Sequence, residues 1–215
     1  ELSTQLTQIL QSKTASLEAR RFACRGLRTV GGDESVAELA RWLLDPEMSH
    51  MARYALEPMP GDTAGAALRE AMGKAQGPLV VGLIASVSHR HDDKAVTSLS
   101  KLATSGDATV AAAAVRGLGV IGTPGAAKTL TSLRGKLSQD VAPAWEHAQL
   151  DCAQRLHASG QGKQAIALYE QLWKESDKAQ VRAAALRGLV VAGPGAAAVS
   201  HVTACLTGDD ANLTR

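Results

Sequence analysis

The chain has 215 residues, of which 45% are hydrophobic, 3% aromatic and 20% charged, enough apolar material for one large or two small domains with an aliphatic core. About forty alanines and 20 glycines point to closely packed helices rather than a β-sandwich, which draws on β-branched and aromatic side chains. Lys+Arg 23 against Asp+Glu 21 leaves a net +2 without a basic stripe, and Cys24, Cys152 and Cys205 lie inside apolar helical patterns, so a disulfide scaffold is excluded.

In chain order, a lone helix is expected near 2–11, followed by six helical hairpins at roughly 16–44, 47–74, 76–105, 108–136, 139–176 and 178–207. Internal repetition organises the chain in this way. Arg-Gly-Leu closes an alanine-rich stretch at 25–27, 116–118 and 187–189, and each copy is followed by glycine and a second apolar-periodic stretch. Leu27, Leu56, Ile84, Leu118, Leu156 and Leu189 form one apolar column with steps of 29, 28, 34, 38 and 33 residues. Leu39, Leu68, Leu99, Leu130, Tyr169 and Val202 form a second, with steps of 29, 31, 31, 39 and 33. Within a unit, Val36, Leu39 and Leu43 repeat at i, i+3, i+7, as do Val96, Leu99 and Ala103, which gives each second helix an apolar stripe. Breakers mark the turns inside hairpins at 31–33, 60–62, 91–93, 122–125 and 193–195. Asp45, Asp107 and Asp177 stand where the next hairpin's first helix needs an N-cap or an acidic first turn. The longest apolar run, Pro78 to Val87, is ten residues and too short to span a bilayer. Because the helix near 2–11 looks like half a hairpin and 206–215 reads like the opening of another repeat, a fragment of a longer array is expected, with self-association through exposed array ends.

The stretch Asp107 to Leu130 (DATVAAAAVRGLGVIGTPGAAKTL) resembles the bacterial HEAT/armadillo-type repeat. Gln180 to Leu186 (QVRAAAL) is similar, and Leu44 to Pro58 (LDPEMSHMARYALEP) looks like repeats of large bacterial HEAT proteins. The fifth hairpin, with Ala153, Leu156, Gly160, Ala165 and Tyr169, looks more like a tetratricopeptide hairpin. The resemblance implies a single all-α, right-handed α-solenoid over 1–215 that serves as a protein–protein interaction or scaffolding module without catalysis of its own or a cofactor. It leaves two alternatives: a nucleic-acid-binding or DNA-repair HEAT protein, and an accessory repeat domain of a larger exported bacterial enzyme. HEAT proteins of that last kind are often exported, which would place this chain in the periplasm or outside the cell.

Several motifs invite a chemical reading and fail it on context. Gly117, Gly119 and Gly122 match G-x-G-x-x-G, but a helix former precedes them where a dinucleotide site needs a strand. His89, His91, Asp92 and Asp93 offer ligands in one short turn, whereas a metal needs donors held in a fixed geometry; capping explains the run more simply. The deoxyhypusine hydroxylase branch of HEAT proteins places metal-binding His-Glu pairs at the position of His50-Met51, and this chain has no His-Glu dipeptide. His147, His157 and His201 are isolated, and Trp42 and Trp173 occupy matching apolar positions that suit packing. No metal, cofactor or catalytic residue is assigned. The candidate partner-binding row lies two residues beyond the second column: Arg41, Glu70, Lys101, Ser132 and Gln171, with Ala204 ending it. In HEAT arrays the second helices line the concave side, so the resemblance puts this row in the groove, where it would suit a polar, extended or helical partner.

Overall fold

Alanine, leucine and regularly spaced breakers produce short helices joined by tight turns, and each helix buries one stripe against its neighbours. A computed structural model of the protein describes residues 1–193 together with Val199 and Thr203. Among the described residues the structure is all-α: α1 (Leu2–Gln11), α2 (Leu17–Val30), α3 (Asp33–Ala40), α4 (Ser49–Leu56), α5 (Asp62–Lys74), α6 (Pro78–His89), α7 (Val96–Leu102), α8 (Ala108–Ile121), α9 (Pro124–Ser132), α10 (Ala142–Ala158), α11 (Gly162–Glu175) and α12 (Ala179–Ala192). A short tight turn, Asp93–Ala95, leads into α7. No described helix is long and apolar enough to cross a membrane. Val202, Ala204, Cys205, His201 and the second half of the sixth hairpin lie outside the described residues.

Two compact units divide the chain, Glu1–Ser98 and Leu99–Arg215. In the first, α2, α4 and α6 pack side by side as one layer, and α1, α3 and α5 as a second layer against it. In the second, α8, α10 and α12 form one layer, and α9 packs beside α11 in the other. First helix on first helix and second on second is the arrangement of HEAT/armadillo-like helical repeats. No hairpin could bury its stripe alone, so each unit's stability resides in the stacking.

The two apolar columns are the core. Leu27, Leu56, Leu118 and Leu156 have no exposed surface, and Ile84 and Leu189 have 1%. On the second helices Leu39, Leu68, Leu99 and Leu130 are fully buried and Tyr169 nearly so. Truncating any of these leucines to alanine removes about 2–5 kcal/mol through lost transfer energy and an unfilled cavity.

Three details depart from the sequence reading. In α7 the inward positions are Ala95, Leu99 and Ala103, with Val96 only half-buried, because the tight turn at 93–95 sets the helix face one residue earlier. Asp177 does not cap α12; Lys178 is its N-cap residue, and the Ser176 hydroxyl accepts from the Lys178 amide at 3.2 Å. In the 183–185 run the fully buried alanine is Ala185, while Ala184 is half-buried on the wall of a cleft. Asp107 caps α8 as the sequence implies, accepting from the amides of Thr109 and Val110, whereas Asp45 accepts from those of Glu47 and Met48 in the turn before α4, whose N-cap residue is Met48.

Candidate functional site

The glycines of the G-x-G-x-x-G match belong to helix packing. Gly117 and Gly119 are buried within α8, and Gly122 ends that helix at φ +63°, a backbone conformation that glycine adopts without a Cβ penalty. A Cβ on Gly119 would sit 2.6 Å from the Ala148 carbonyl oxygen and 2.7 Å from its Cα, so this glycine lets α8 and α10 approach backbone to backbone. Gly122 likewise accommodates the aliphatic stem of Arg155.

At the hairpin turns of the first unit, the histidine–aspartate run is built into a structural cluster. Arg69 binds Asp92, and its other terminal nitrogen meets Asp62 at 3.0 Å; Lys94 reaches the second oxygen of Asp62 at 2.7 Å. Two cations therefore hold the Asp62 carboxyl below its ordinary value of 3.8. Asp92 also caps the turn by accepting from the Lys94 amide at 3.1 Å. Beside it, Arg90 donates to four carbonyl oxygens, those of Leu56, Glu57, Met59 and Gly61, at 2.6–2.9 Å. These carbonyls lie at the end of α4 and in the turn after it, and one guanidinium gathers them together, with the Leu56 carbonyl also accepting from the Met59 amide at 3.2 Å. His91 ends α6 at φ +51°, and Asp92 N–H bonds back to the Val87 carbonyl at 3.2 Å, a Schellman-type stop in which the left-handed residue is usually glycine. Among the described residues no group of three or more His, Cys, Asp or Glu is placed to hold a metal ion.

The predicted row falls on successive second helices. Arg41, just past α3, keeps a side chain 70% exposed while meeting Glu38 at 3.1 Å. Glu70 on α5 pairs with Lys74 at 2.6 Å, and Lys101 on α7 is exposed. Ser132 at the end of α9 is exposed and donates to the Thr129 carbonyl at 2.8 Å. Gln171 on α11 differs: it is half-buried on the wall of a small cleft beside Trp145 and Glu146. That cleft is knitted by the Trp145 indole N–H on the Leu130 carbonyl (2.7 Å), Lys178 on Glu146 (2.6 Å) and Arg134 on Glu175 (2.5 Å). Trp42 and Trp173 are half-buried, and Arg20 stacks over the Trp42 ring at 4.9 Å.

A larger cleft in the second unit was not legible in the sequence. It opens between α10 and α12 above Tyr169, and it gathers His157, which looked isolated, with Gln154 and Arg187. Two signals were present: Gln154 and His157 share a helix face at i, i+3, and Ala184, Arg187 and Val191 share one at i, i+3, i+7. Neither signal says that the two faces meet.

No known family's sequence profile matches the chain, and no curated protein matches it. Among the solved structures that resemble it are three engineered proteins. One engineered protein from a structural genomics consortium is 20% identical at a TM-score of 0.49; the match covers 99% of this chain, which spans 65% of that one. A designed armadillo repeat protein is 20% identical at a TM-score of 0.48, over 90% of this chain and 100% of that one. A second engineered protein from the consortium is 18% identical at a TM-score of 0.38, over 97% and 92% of the two chains.

Proposed function

We propose that this chain is an interaction module without catalytic activity of its own, which receives a protein or peptide partner along the polar row of its second helices. The observation that carries the reading is a fixed register. Leu39, Leu68, Leu99 and Leu130 are fully buried, and in every case the residue two positions on (Arg41, Glu70, Lys101 or Ser132) faces solvent. Arg41 and Glu70 lie in the first unit, Lys101, Ser132 and Gln171 in the second. Within each unit, charge or hydroxyl presented on neighbouring second helices suits an extended or helical polar partner better than an apolar peptide. The non-catalytic half of the reading is supported by what the turn cluster does: Asp62 and Asp92 are engaged by Arg69, Lys94 and a backbone amide, which makes them structural.

The test reverses two cations at once. The Arg41→Glu, Lys101→Glu variant is expected to lose partners captured by the unmodified chain, with an unchanged thermal midpoint and with Lys128→Ala as the unaffected surface control. Retention of every partner by the reversed variant would sink the assignment of this row. A salt-sensitive shift of generic duplex DNA would instead favour the nucleic-acid alternative.

A further inference from the structure

The cleft between α10 and α12 has a volume of about 530 Å³, within the range of small-molecule sites, and it opens to solvent past the exposed Gln154, Arg187 and Val191. Its existence follows from unequal packing on the two sides of α10. Gly119 lets α8 lie directly on the α10 backbone, whereas on the other side α12 packs chiefly on α11 and leaves the cleft between itself and α10. The floor is Tyr169 of α11, over which α12 passes with a glycine: a Cβ on Gly188 would lie 2.4 Å from two ring carbons.

Four polar side chains line this space: Gln154 and His157 from α10, Tyr169 from below and Arg187 from α12. The first unit's turn cluster spends its polar groups on one another; here no hydrogen bond or ion pair among the described residues occupies any of the four. All four can donate, and among the described residues no carboxylate lines the cleft. Burial raises the Tyr169 phenol above its ordinary value, so it stays a protonated donor. Leu150, Ala184 and Val191 supply apolar walls. Among the described residues Arg187 is the one arginine or lysine that lines the cleft, and one guanidinium balances a single negative charge, where a phosphate dianion carries two. Its planar fork matches the two oxygens of a carboxylate.

We infer that this cleft is a binding site for a small organic monocarboxylate with an apolar body, its carboxylate on Arg187 and its alkyl or aryl portion between Leu150, Ala184 and Val191. The inference is independent of the partner row, which lies on the second helices.

The experiment is a nuclear magnetic resonance titration of the full chain with phenylacetate, phenylacetamide and inorganic phosphate as probes. Phenylacetate is expected to move the backbone amides of His157, Ala184 and Gly188 saturably. The neutral amide and phosphate should each bind about tenfold more weakly or less, the value of losing one charge-assisted hydrogen-bond pair or the apolar contact. Arg187→Gln should weaken phenylacetate by about tenfold. Ala184→Leu, which fills the cleft from a half-exposed position, should abolish the shifts with the helical spectrum intact, and Arg41→Glu should leave them unchanged. Absence of a saturable shift, phosphate binding as strong as phenylacetate, or binding that survives both Arg187→Gln and Ala184→Leu would each overturn the assignment.

Discussion

Single residues in this protein acquire their meaning from what stands opposite them. Gly119 and Gly73 are both helical glycines, and helix propensity alone favours alanine at each by up to about 1 kcal/mol. Around Gly73, on α5, nothing lies within 4 Å of a new Cβ, so Gly73→Ala should raise the denaturation midpoint. At Gly119 the same Cβ would meet the α10 backbone at 2.6–2.7 Å, and the backbone cannot yield as a side-chain end could. Gly119→Ala should therefore destabilise by about 1–3 kcal/mol, the reverse sign for the same chemical change. Equal effects in urea unfolding would show that α8 and α10 do not approach as described. The cysteines behave as buried hydrophobes. Desolvation pushes the thiols of Cys24 and Cys152 up from 9.0 to about 12. Neutral thiols are thus favoured in the fold, a contribution fully present below pH 9 and lost as pH rises toward 12. At pH 8, alkylation of these two cysteines should be slower in the folded protein than in urea by on the order of a hundredfold or more, read by peptide mass mapping.

At the scale of the element, hairpin ends are tied to the next hairpin rather than to themselves. Arg90 follows α6, yet its four acceptors lie at the end of α4 and in the turn after it. Arg90→Ala should leave those carbonyls to water and lower stability by about 1–3 kcal/mol, more than Arg90→Lys, whose compact ammonium can keep part of the set. Identical midpoints for the two variants would argue against the capping role. Asp62 gives the same coupling a pH dependence. Its carboxyl is held below 3.8 by Lys94 first and Arg69 second, so its stabilising contribution is present above that value and is lost as pH falls through the lowered one. Asp62→Asn should unfold at lower urea than the parent at neutral pH, and the gap should close below the ordinary carboxylate range. A gap that persists in acid would indicate that Asp62 acts through something other than its charge. Neither tie was legible in the sequence, because Arg90 and its acceptors lie 29–34 residues apart and Asp62 and Lys94 lie 32 apart, and such partners meet only after the hairpins have stacked.

For the molecule as a whole, helix identity and spacing were legible, and register at the alanine-rich helices was not. Two columns of apolar residues about thirty apart specify paired amphipathic helices wherever such residues recur, since no other arrangement buries both columns. The alanine runs carry no such directional signal. With four small residues in a row at 111–114, several helix faces can make the close contact, and packing selects among them. The structure buries Ala113 to 8% exposure and Ala185 completely, so Ala113→Arg and Ala185→Arg should each lose about 1–3 kcal/mol or more, against almost nothing for the exposed Lys128→Ala. Matching midpoints for all three would place the alanines on the surface and overturn the packing register. Periodicity within one helix specified an all-α chain of helical hairpins, the core leucines and the solvent-facing Arg41, Glu70, Lys101 and Ser132, but not the half-buried Gln171. Contacts between stacked hairpins bring Arg90 to the α4 end, join Asp62, Arg69, Asp92 and Lys94 in one cluster, and set His157 and Arg187 on one cleft. Those pairings depend on how closely neighbouring helices approach, and that distance is set by the volume of every side chain between them.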